Sequence, residues 1–83
     1  MGLKRRPTPR KLAKKLALIR TRLGVSQGDM VKELGLGKRY TRVSISGYER
    51  GEREPPLPVI LRYAKLAGFS TDYLIDDELE LPD

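Results

Sequence analysis

Apolar residues recur at helical spacing in this chain, in short segments that glycine or proline cuts off. Leu12, Leu16, Ile19 and Leu23 repeat at i, i+4, i+7 and i+11, which puts them on one face of a helix over residues 11–23. Lys11, Lys14, Lys15 and Arg22 fall on its other faces, and Gly24 stops it. Ser26 stands ahead of the next apolar run with Asp29 three residues on, a helix start signal, and Val31 and Leu34 share one face. Gly35 supplies the left-handed residue that a helix exit favours. Thr41 is a good N-cap for a third helix, which turns Ile45 and Tyr48 toward a core and stops at Gly51.

Pro55 and Pro56 stiffen the exit, and Pro58 suits the first turn of a fourth helix over residues 57–67. Leu57, Ile60, Leu61, Ala64 and Leu66 or Ala67 are expected to face inward, with Gly68 as the stop and Phe69 capping the core. Ser70 is the N-cap of a last short helix over residues 71–77, where Asp72 suits the helix dipole. The pattern predicts an all-α fold of five short helices. Residues 1–9 are expected to form a basic arm, since Pro7 and Pro9 disfavour helix there. Residues 10–69 carry the main domain, and residues 70–83 a short helix and an acidic tail.

Composition narrows the chemistry. Eighty-three residues make one small domain with little room for a deep active site. Cysteine and histidine are both absent, which excludes disulfides, thiolate metal sites and histidine-based acid-base or zinc chemistry. No glycine-rich phosphate loop or metal-spaced carboxylate set occurs, so neither a metal, a cofactor nor catalysis is expected. No apolar run approaches the roughly 20 residues of a membrane helix, and the basic start lacks the apolar stretch of a signal peptide. A cytoplasmic location fits these features.

The net charge is +6, and its distribution is uneven. Residues 1–22 hold nine bases (among them Lys4, Arg5 and Arg6) and no acid, whereas residues 72–83 hold six acids and no base. The basic front favours a polyanion, whether DNA, RNA or an anionic surface. Lys38 and Arg39 next to Tyr40 suit nucleic acid as well, since the cations can meet phosphate and the ring can pack on sugar or stack. Alternatively Tyr40 covers the edge of the core.

Two short helices around a glycine-bearing turn form a helix-turn-helix candidate. The stretches SQGDMVKELGL, SISGYERGEREP and LAGFSTDYL make the match more specific. Across residues 11–76 the chain resembles the Cro/phage-repressor (XRE-type) helix-turn-helix family. It departs from that family in having Val31 where alanine is usual and in a turn about four residues longer than a tight one, with the extra length in Leu36 to Tyr40. The resemblance implies a five-helix domain that binds duplex DNA and regulates transcription, most simply as a repressor. It puts Arg42, Val43 and Gly47 at base-reading positions, with Ser46 beside them, in a helix whose N-terminal residues meet base edges. Arginine there suits guanine and valine a thymine methyl. It gives Gln27 a contact to the DNA backbone and a part in supporting the recognition helix, and makes Arg20 and Glu49 a structural ion pair. Lys38, Arg39, Tyr40, Arg50 and Arg53 are the expected phosphate contacts.

The C-terminal segment alternates apolar and acidic residues, and something must cover it: its own domain, a second copy, or another protein. Tyr73, Leu74, Ile75, Leu79 and Leu81 are the expected contact of a homodimer binding a palindromic site. A second partner class is a toxin protein, with the chain as its antitoxin regulating its own operon. An RNA- or membrane-surface-binding module ranks below both, because no RNA signature is present and the basic helix also carries the core stripe.

Overall fold

The structure, a computed structural model, describes residues 8–82. The basic residues Lys4, Arg5 and Arg6 of the expected arm lie outside them. Five helices follow in order: α1 (Leu12–Leu23), α2 (Gln27–Glu33), α3 (Arg42–Glu49), α4 (Leu57–Ala67) and α5 (Asp72–Ile75). No strand occurs among the described residues. The all-α, five-helix expectation holds.

α1 is the hub. Its residues Leu12, Leu16 and Ile19 are buried, and it packs against α3, α4 and α5, while α2 leans mainly on α3. Met30 and Leu34 of α2, Ile45 and Tyr48 of α3, Val59, Ile60, Tyr63 and Ala64 of α4, and Leu74 of α5 complete the core. Burying such side chains is worth roughly 1.5–3 kcal/mol each, which is what holds five helices too short to persist alone.

The helix boundaries follow local chemistry. Ser26 Oγ accepts from the Asp29 amide at 3.0 Å and starts α2. At its far end the Gly35 amide donates to Lys32 O at 3.0 Å and the Leu36 amide to Val31 O at 3.3 Å. This closing pair of bonds needs a left-handed residue, and Gly35 has φ +66°. Val31 and Leu36 both pack against the core beside it. α5 is shorter than expected. Ser70 Oγ does accept from the Asp72 amide at 3.2 Å, but Asp76 is already extended at ψ 110°.

Three expected faces are corrected. Leu23 ends the apolar stripe of α1 but is 42% exposed, because the chain turns away at Gly24. Leu57 and Leu61 were expected inward and are exposed; the buried row of α4 instead runs through Val59, Ile60, Tyr63 and Ala64, shifting the helix in phase. Lys15, expected on an outer face, is buried. Its Nζ donates to the Asp76 carbonyl at 3.0 Å, so the ammonium satisfies the C-terminal end of α5 while its stem packs inside.

The acidic segment folds back on the basic helix. Asp77 accepts from the Arg10 amide at 2.8 Å and the Lys11 amide at 3.0 Å, and so serves as the cap of α1, whose own N-cap residue Lys11 has no side-chain cap. Lys11 Nζ lies 3.5 Å from Glu80, and Arg22 donates to the Pro82 carbonyl. Leu81 packs against the core. Three basic side chains, Lys11, Lys15 and Arg22, thereby hold the acidic segment against α1.

Candidate nucleic-acid interface

α3 is fixed at its start by two hydroxyls. Thr41 Oγ1 accepts from the Val43 amide and Ser44 Oγ accepts from the Thr41 amide, each at 3.2 Å, a reciprocal capping box. Arg42 and Val43 are therefore the first two residues of a helix that cannot fray easily, and both are exposed, Val43 by 59%. Ser46 is half-buried one turn on, while Ile45 and Tyr48 point into the core.

The inner end of α3 is tied to α1. Arg20 Nε donates to Glu49 Oε2 at 2.7 Å and Nη2 donates to Oε1 at 3.0 Å, as the expected pair requires. Arg20 Nη1 also donates to the Val25 carbonyl at 2.9 Å. The bond to Glu49 holds the guanidinium of Arg20 above its ordinary pKa. Gln27 joins the same carboxylate, its Nε2 donating to Glu49 Oε1 at 3.2 Å. The Gln27 side chain is thus an internal brace between α2 and α3. Because Glu49 is the sole acid of α3 and its side chain is 6% exposed, the outer surface of the helix carries no negative charge.

Around α3 the expected cations divide. Lys38 and Arg39 stand exposed on the long turn. Tyr40 is half-buried and packs against the core, in keeping with its role as a core edge. Arg50 is exposed but lies 3.2 Å from Glu52. Arg53 is exposed, and no carboxylate among the described residues is within ion-pair distance of it.

Gly47 is where the expected exposed surface of α3 is corrected. It is buried, because the stem of Arg53 lies across it. One contact near this surface was not expected at all. Arg62 of α4 donates from Nη1 to the Leu34 carbonyl at 3.4 Å and holds the start of the long turn. Nothing at position 62 signals this, since the partner lies 28 residues away.

The model of the family described as "Helix-turn-helix domain" matches residues 11–76, most of the chain. The protein belongs to the helix-turn-helix family, in its Cro/phage-repressor (XRE) branch. This helix-turn-helix protein is 33% identical over 64 residues to the HTH-type transcriptional regulator ImmR of Bacillus subtilis (strain 168). That match takes in 77% of this chain and 47% of ImmR, so the chain spans about half the length of that relative. Among solved structures it is similar to the P22 c2 repressor protein in complex with synthetic operator 9T, crystallised in the presence of Tl+. There the TM-score is 0.67 at 29% identity, covering 80% of this chain and 94% of the repressor chain. Of these two, ImmR is a transcriptional regulator and the P22 c2 protein a repressor.

Proposed function

We propose that this protein binds duplex DNA sequence-specifically through α3 and regulates transcription, as a repressor acting as a symmetric dimer. The carrying observation is the inward turn of Glu49. It leaves the outer face of α3 with a cation at Arg42, an apolar contact at Val43, a hydroxyl at Ser46 and no carboxylate. Arg42 can pair with guanine O6 and N7, and Val43 can meet a thymine methyl. Lys38, Arg39 and Arg53 flank the helix as phosphate contacts that set its register. Arg50 contributes less, being paired with Glu52. The complex of the similar P22 c2 repressor with operator supports this reading.

A single α3 reaches too few base pairs for specificity, so two copies would read half-sites about 34 Å apart. Part of the expected dimer contact is already used within one chain: Leu74 is fully buried, Leu81 packs on the core, and Tyr73 meets Phe69 edge-on at 5.5 Å. The dimer contact is therefore assigned to the exposed apolar groove of Leu57, Leu61 and Ile75. The acidic segment, which also motivated a toxin partner, has its own cover on α1.

Binding-site selection from random duplex DNA tests the reading. Enrichment of a sequence with two inverted half-sites one helical turn apart is expected. A pool that stays random after selection would remove it.

A further inference from the structure

Gly47 occupies a costly place for a glycine. In an exposed helix interior, glycine is less favourable than alanine by about 1 kcal/mol. Its φ is not in the left-handed region, so no turn demands it. The space is tight instead. A Cβ built at Gly47 would stand 3.2 Å from Arg53 Cδ, 3.3 Å from Cγ and 3.6 Å from Cβ. The chain brings Arg53 there after leaving α3, with the Glu52 and Arg53 amides both donating to the Gly47 carbonyl at 2.9 and 3.2 Å.

Position 47 is one helical turn beyond Val43, on the same row of α3. The row therefore has a gap in its own side chains, and the Arg53 stem fills it. We infer that Gly47 is the seat of Arg53: by lacking a side chain it lays that arginine along the row of Val43, so that α3 gains a phosphate-binding cation it does not encode. The guanidinium has no carboxylate partner among the described residues, unlike Arg50, so its charge is available to a duplex. Gly47 is a positioning residue in this account, and the account rests on the proposed DNA binding.

A double-mutant cycle tests it, using the selected duplex, a random duplex and a salt series. Arg53→Ala and Gly47→Leu should each weaken both duplexes roughly tenfold, the scale of one charge-assisted contact. Each should make the slope of log K against log salt shallower by about 0.9. In the Arg53→Ala background, Gly47→Leu should add nothing. Gly47→Ala, which asks the stem to move by only a few tenths of an ångström, should keep the melting temperature and lose less affinity than Gly47→Leu. In the free protein, NOEs should link the Gly47 Hα protons to the Arg53 side chain. Additive losses, or an unchanged salt slope in Gly47→Leu, would mean that position 47 acts on DNA directly and would overturn the seat. Absence of those NOEs would overturn it without DNA. A wild-type protein that binds no duplex would instead remove the proposed function, and the seat's role with it.

Discussion

The guanidinium of Arg20 grips the carboxylate of Glu49 with two nitrogens, at 2.7 and 3.0 Å, across 29 residues of sequence. The carboxylate is nearly buried and also takes the Gln27 amide, so removing it leaves three donor nitrogens without this acceptor. Glu49→Ala should cost on the order of 3 kcal/mol, the usual price of stranding one partner of a buried pair. In a domain of this size that lowers the melting temperature by more than about 10 °C. Calorimetry of the single variants and of Arg20→Ala/Glu49→Ala checks it. The double variant should be less damaged than the sum, and an unchanged melting temperature in Glu49→Ala would show that the pair holds nothing.

Asp77 is tested by acid. Its carboxylate sits below the ordinary range because the Lys11 and Arg10 amides donate to it. A folded-state pKa below the unfolded one, about 3.9, adds stability that is complete above that value and is lost as pH falls through the folded pKa. Asp77→Asn should therefore melt below the wild type at pH 7, and the gap should shrink as the pH drops below 4. A gap that is constant with pH would contradict the ionic cap.

Tyr63 carries the opposite expectation. Its ring is fully buried, yet its hydroxyl has no hydrogen-bond partner among the described residues. Burial pushes the phenol well above its ordinary pKa, so the group stays neutral. Removing an unpaired buried hydroxyl removes a desolvation penalty, so Tyr63→Phe should be neutral or stabilising by up to about 1–2 kcal/mol. Tyr63→Ala should cost about 3–5 kcal/mol through the cavity it leaves. Urea denaturation of both variants distinguishes the ring from its oxygen.

On DNA, Arg39 and Arg42 should separate by what they read. Arg39→Ala removes the proposed phosphate contact and should weaken selected and random duplex alike, flattening the salt slope by about 0.9. Arg42→Ala should cost about 1–3 kcal/mol on the selected duplex and much less on random sequence. Titrations of both duplexes by fluorescence anisotropy give the comparison. Equal losses from Arg42→Ala on the two would take base reading away from it.

The groove of Leu57, Leu61 and Ile75 predicts an assembly phenotype. Leu61 is 44% exposed, so Leu61→Glu should leave the fold intact. Sedimentation should show the mass falling from two copies to one, with weaker binding to the two-half-site duplex. The same mass and affinity in both proteins would move the contact elsewhere.

Much of this architecture is legible from local signals. Ser26, Gly35, Thr41 and Gly68 mark helix ends through bonds within a few residues, and all four act as expected. The phase of α4 is less legible, because Leu57, Ile60, Leu61 and Ala64 fit a helical stripe as well as the true buried set does; packing against α1 decides between them. Lys15, Asp77 and Arg62 could not be read at all. Each meets backbone groups 28 or more residues away, and sequence spacing carries no information about such contacts. At the candidate interface, the exposure of Arg42 and Val43 was legible from helix phase. The fate of Gly47 was not, since it depends on where the chain goes after Gly51.

The cap that Asp77 places on α1 has a consequence for how the molecule comes into being. A side-chain cap is ordinarily supplied by a neighbour and forms as soon as its helix does. Here the two partners are 66 positions apart in sequence, so this cap can close only after every other helix has been synthesised. On a ribosome, a growing chain that has not yet released residue 77 carries the hub's first amides open to water. Completion of the oldest helix and delivery of the acidic segment are then a single event.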